Sequence, residues 1–87
     1  MKRNASFIKR TIGEQTVIVA VGEATRRFNG MISVNGTASY IWDLLENDTD
    51  IDTVAASLCD RYQVEPDVAR EDVAAFVEQL KGVGAVE

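Results

Sequence analysis

Apolar and β-branched runs in the first third of the chain read as β-strands. Phe7-Ile8-Lys9-Arg10-Thr11-Ile12 mixes apolar and charged positions, and Thr16-Val17-Ile18-Val19-Ala20-Val21 is a β-branched run suited to a more central strand. Gly13-Glu14-Gln15 supplies a turn, so the two stretches are expected to pair as a hairpin. Gly22 to Gly30 reads as a loop holding Arg26, Arg27 and an Asn-Gly pair, whose ready access to φ > 0 suits a tight turn or the end of a loop. Met31 to Val34 forms a third strand, short and close to glycine on both sides, as befits a sheet edge.

Beyond Val34 the period lengthens to that of a helix. A first helix over about Thr37 to Glu46 places Ala38, Ile41, Trp42 and Leu45 on one face, with Asn35 or Thr37 as its cap. A second follows Asp48-Thr49-Asp50 and runs to about Tyr62, with Ile51, Val54, Ala55, Leu58 and Tyr62 as its stripe. Asp50 and Asp52 suit the positive end of that helix. Pro66 opens a third helix that runs to Lys81, with Val68, Ala69, Val73, Phe76, Val77 and Leu80 facing inward or toward a groove, and Gly82 ends it. The order β-β-β-α-α-α places the chain in the α+β class, a three-stranded antiparallel sheet followed by three helices. The last two helices look like a helix-turn-helix pair. The first five residues, polar and basic, are expected to be disordered, and Val83 and Val86 to fold back on the core.

With 87 residues, 46% of them hydrophobic, residues 1–87 are expected to form one domain with one modest core and no deep active site. The net charge of −5 is unevenly spread. Residues 1–35 hold six basic side chains against two acidic ones, and residues 36–87 hold three against twelve. A bipolar molecule follows, with a basic sheet end able to steer an acidic partner. The overall sign disfavours nucleic acid. The longest apolar runs fall far short of the roughly 20 residues that span a bilayer, and no signal peptide is visible, so a cytoplasmic location is expected and no membrane partner.

Enzyme signatures are missing. Without histidine a zinc site or a Ser-His-Asp triad has no members to draw on, and one thiol, Cys59, forms neither an internal disulfide nor an iron–sulfur cluster. Neither a glycine-rich dinucleotide fingerprint nor a Walker phosphate loop occurs. Asp48, Asp50 and Asp52 alternate as in a calcium loop, but Thr53 stands at the glycine position and Cys59 at the final glutamate, so helix-start acids explain them better. Trp42 reads as a core anchor. No catalytic residue, metal ligand or cofactor is expected.

The run Met31-Ile32-Ser33-Val34-Asn35-Gly36-Thr37-Ala38, followed by Ile41-Trp42-Asp43-Leu44-Leu45, resembles the centre of the PqqD-like family, also called the RiPP recognition element. Val54-Ala55-Ala56-Ser57-Leu58, Arg61-Tyr62-Gln63-Val64, Asp72 to Leu80 and Gly84-Ala85-Val86 extend the likeness from Phe7 to Val86. Val34 replaces the usual leucine before the asparagine, a conservative departure. The resemblance implies a winged-helix-like fold. It also implies a non-enzymatic chaperone that binds the leader of a ribosomally made precursor peptide and presents it to a modifying enzyme, often a radical-SAM protein. The leader would add as a strand on Met31, Ile32, Ser33 and Val34, beside Ala69, Arg70, Val73 and Val77 of the third helix. Arg26 and Arg27 would pair with leader carboxylates. Such an edge permits a monomer or a strand-mediated dimer. The alternative is a small winged-helix DNA-binding protein, against which the last helix sets Asp67, Glu71, Asp72 and Glu78.

Overall fold

The computed structural model describes residues 1–87. Strands β1 (Phe7–Ile12), β2 (Gln15–Ala20) and β3 (Met31–Val34) precede helices α1 (Gly36–Leu44), α2 (Ile51–Tyr62) and α3 (Pro66–Gly82), with a short 3-10 turn over Gly22–Arg26. The order is the expected one. Both strand pairs are antiparallel, with β2 in the middle. Ile12 pairs with Gln15, which leaves Gly13 and Glu14 as a two-residue turn, and Gly13 takes the φ of +64° that its missing Cβ makes cheap.

The helix starts follow local chemistry. Asn35 caps α1: its Oδ1 accepts the Ala38 N–H at 2.8 Å and its carbonyl accepts the Ser39 N–H at 2.9 Å. Asp50 caps α2 in the same way, accepting the Thr53 N–H at 2.7 Å. Of the two readings of Asn29-Gly30, it ends the loop before β3 and makes no tight turn, for neither residue has positive φ. Two expectations fail. Gly82 stays inside α3, and the chain reverses at Gly84 with φ +80°. Val68, placed inward or toward a groove by its spacing, is 46% exposed in the first turn of α3.

The N-terminal arm is also ordered, contrary to expectation. It lies between the C-terminal tail and the end of α1. Arg3 bridges to Val86, and the Arg3 N–H reaches the Leu45 carbonyl at 2.9 Å. The Asn4 N–H reaches the Ala85 carbonyl, and the Glu87 N–H the Lys2 carbonyl, each at 2.7 Å. The Arg3 guanidinium stands 5.5 Å from the Trp42 ring centroid. These are backbone pairings across almost the whole chain length, which a local reading of polar residues has no means to register.

The main core lies between one face of the sheet and the three helices. Phe7, Ile18 and Ile32 contribute from the strands, Ile41, Trp42 and Leu45 from α1 and the residue after it, and Leu58, Val73, Phe76, Val77 and Leu80 from α2 and α3. Val17 is fully buried on the other face of the sheet, outside this cluster. No helix is long and apolar enough to cross a membrane.

Candidate functional site

A three-stranded sheet has two edges, here β1 and β3. The hairpin fixes which backbone groups each edge offers. A two-residue turn closes with a hydrogen-bonded pair, so the Gln15 N–H and C=O point toward β1. The same direction recurs at every second residue, and the Val21 N–H indeed reaches back to the Ser6 carbonyl at 2.7 Å. Thr16 and Ile18 therefore point toward β3, where they meet Val34 and Ile32. Along β3, Ile32 and Val34 bond to β2, while Met31 and Ser33 direct their N–H and C=O groups to the free edge.

The side chains alternate the other way. Ile32 is 7% exposed in the core and Val34 is half-buried above the helices. Met31, 60% exposed, and Ser33 face outward, and the Gln15 amide donates to the Ser33 hydroxyl at 2.6 Å. The four residues singled out from the sequence thus divide into two roles, backbone at the edge and side chain in the core.

The two edges differ in protection. β1 carries the inward-pointing Lys9, whose Nζ is 2.6 Å from the Asp43 carboxylate and 2.8 Å from the Ser39 hydroxyl, and next to it the exposed Arg10. Charges on an edge, above all inward-pointing ones, discourage another strand from pairing there. β3 has no charge, no proline and no bulge. It is the edge left open.

At the end of β3 lies an open groove of about 370 Å³ between the first turns of α1 and the flank of α3. Asn35, Thr37, Ala38 and Ile41 form one wall, and Asp72, Ala75, Phe76 and Gln79 the other. The α3 residues proposed from the sequence lie elsewhere. Ala69, Val73 and Val77 are 0–1% exposed, inside the core, and offer no surface. They are the positions α3 turns toward the other helices and the sheet. Arg70 turns toward α2, with its Nε 3.0 Å from the Asp52 carboxylate. Arg26 and Arg27 line a separate cleft with Asn4, Phe7 and Gly84, near the start of β1. The sequence holds one signal for the groove: Asp72, Ala75 and Gln79 recur at helical spacing on the polar flank of α3, beside rather than within its apolar stripe.

A further cluster closes the start of α1. The Tyr40 and Tyr62 rings meet edge to face at 5.7 Å, the Arg61 guanidinium lies over both, and the Tyr62 hydroxyl donates to the Gly36 carbonyl at 3.4 Å. No three His, Cys, Asp or Glu side chains are grouped to hold a metal ion. Exposed Asp67, Glu71, Asp72 and Glu78 on α3 repel a phosphate backbone, and nothing supports the DNA-binding alternative.

A protein-family model described as Coenzyme PQQ synthesis protein D (PqqD) matches residues 10–86. No curated protein matches the chain. Two solved structures share its fold. A structure of TbiB1 in complex with the TbiA(beta) leader peptide has a TM-score of 0.77 at 20% identity, over 100% of this chain and 95% of that one. A structure of lasso peptide synthetase B1 complexed with the leader peptide has a TM-score of 0.73 at 25% identity, over 97% and 93%.

Proposed function

The chain belongs to the PqqD family, and from that premise we propose that it binds the leader of a ribosomally made precursor peptide and presents it to a modifying enzyme. The role is binding and delivery rather than catalysis. The observation that carries the reading is the contrast between the edges: β1 is guarded by Lys9 and Arg10, and β3 is left open beside a groove. An unpaired edge gains affinity for an extended peptide through main-chain hydrogen bonds, and neighbouring pockets add selectivity. Both structural neighbours were solved in complex with leader peptides, which supports a leader peptide as the ligand of this fold.

The leader pairs with the outward N–H and C=O groups of Met31 and Ser33. Its alternate side chains then line up with Ile32 and Val34 over the helices. Arg26 and Arg27 serve leader residues beyond the Met31 end, if the leader carries carboxylates there. The modifying enzyme, a radical-SAM protein being one class, docks on the loaded carrier. Since the substrate is made on ribosomes, the protein works in the cytoplasm. It does so as a monomer, because a dimer through β3 would occupy the edge that the leader needs.

Fluorescence anisotropy with a labelled synthetic leader tests the reading. The expected affinity is nanomolar to micromolar, about −8 to −12 kcal/mol. Ser33→Pro removes one edge-facing N–H without touching the β2 ladder, as proline at an edge allows. It is expected to weaken binding at least about tenfold, the equivalent of about one charge-free hydrogen bond plus the lost register. Ser33→Ala keeps the N–H and is expected to bind normally. Unchanged binding by Ser33→Pro, with a native circular dichroism spectrum, overturns the edge mode.

A further inference from the structure

The groove past Val34 has an apolar floor and an acidic rim. Ala38 and Ile41 from α1 and Ala75 and Phe76 from α3 make the floor, and Asp72 is the one ionisable side chain lining it. No basic side chain answers that carboxylate. Arg70, two residues before it, is held by Asp52 and Asp67 at 3.0 and 3.7 Å, and Arg61 is held between two tyrosine rings. The ion pairs of the molecule leave Asp72 out. Glu71 and Glu78 are exposed on other sides of α3 and add no counter-charge to the groove.

A strand added to β3 directs every second side chain toward the helices, beside Ile32, then Val34, then past the strand end. Two residues advance about 7 Å, so the third inward position passes the end of β3, the end at which Asn35 opens the groove. We propose, resting on the peptide-binding reading above, that this groove selects the leader segment continuing past Val34. It takes a bulky apolar side chain on the Ala38–Phe76 floor and a lysine or arginine, within two positions of it, against Asp72. The occupant follows from complementarity: an apolar surface excludes a polar anchor, and an unanswered carboxylate favours a cation and repels an acidic neighbour. The expectation from the sequence, a basic sheet end reading an acidic partner, is reversed at this end of the site.

Selection of a random linear peptide library, displayed on phage, tests this with the intact protein. The wild type is expected to enrich peptides with an apolar residue next to a basic one. Synthetic peptides of that consensus then serve for anisotropy at low salt. Asp72→Lys is expected to weaken them about fivefold, as for one partly exposed charge pair, and to favour the versions with glutamate at the basic position. Ala75→Trp, at an exposed position, fills the groove and abolishes the apolar preference. A consensus without a basic position, or one indifferent to Asp72→Lys while Ser33→Pro still weakens binding, overturns this proposal alone. No enrichment, or enrichment that survives Ser33→Pro, overturns the peptide-binding reading and this proposal with it.

Discussion

Ile32 and Ser33 are neighbours with opposite assignments, and the difference decides which substitution is informative. The Ile32 N–H faces β2 and its side chain fills the core, so proline there breaks the sheet rather than the edge. Ser33 faces the edge and tolerates it. Asp50 shows the same dependence on detail in its titration. The Thr53 backbone N–H, then the Thr53 side chain, hold its carboxyl below the ordinary carboxylate value of 3.8. A depressed folded pKa contributes stability that is complete above the unfolded value and lost as pH falls through the folded one. Asp50→Asn keeps a capping oxygen without the charge. Thermal melts are expected to place the wild type above this variant at neutral pH, the gap beginning to close as pH falls below the unfolded value of about 4 and closing as it passes through the lower folded one. A constant gap across that range would contradict the cap as its origin.

Among the elements, β3 is the one whose behaviour is most specific. Its alternation predicts an alternating exchange pattern in the free protein. Ile32 and Val34 amides bond to β2 and are expected to exchange slowly; Met31 and Ser33 amides face solvent and are expected to exchange at least about tenfold faster, the signature of locally unprotected groups. Hydrogen exchange followed by NMR checks this without any ligand, and equal protection at all four positions would remove the open edge. The elements themselves were legible in the sequence because their signals are local: β-branched runs, a glycine turn, Asn35 or Thr37 as a cap, acids at the start of α2, Pro66 as a first helical residue. The stripe of α3 was legible too. Which of its residues face the core and which flank the groove was not, because helical spacing gives a face without saying what that face meets. Ala69, Val73 and Val77 lie on the apolar stripe and are core; Asp72, Ala75 and Gln79 lie on the adjoining flank and meet the groove.

For the molecule as a whole, one small core carries the fold. An 87-residue chain is expected to be stable by about 4–13 kcal/mol. Leu58 is fully buried in the main cluster, and Leu58→Ala is expected to cost about 2–5 kcal/mol through lost burial and the cavity left behind. Urea denaturation should show a large fall in midpoint at unchanged slope, and a cost under about 1 kcal/mol would mean that the site collapses or that α2 contributes little. The charge asymmetry of the sequence takes a different form once folded. Lys9 and Arg3 meet Asp43 and Glu46 across the layers, so part of the basic excess of the first third is answered by α1 and the turn after it.

The sequence by itself determined the order of elements, the class of fold and the resemblance to the family, since each rests on short local signals read in order along the chain. Tertiary structure alone decided that the N-terminal arm is ordered, that β1 is guarded by a lysine reaching α1, that Arg70 serves α2 and that an acidic, apolar groove opens past Val34. Each of these depends on residues 18 or more positions apart being brought within a few ångströms, and local propensity carries no information about where distant partners arrive.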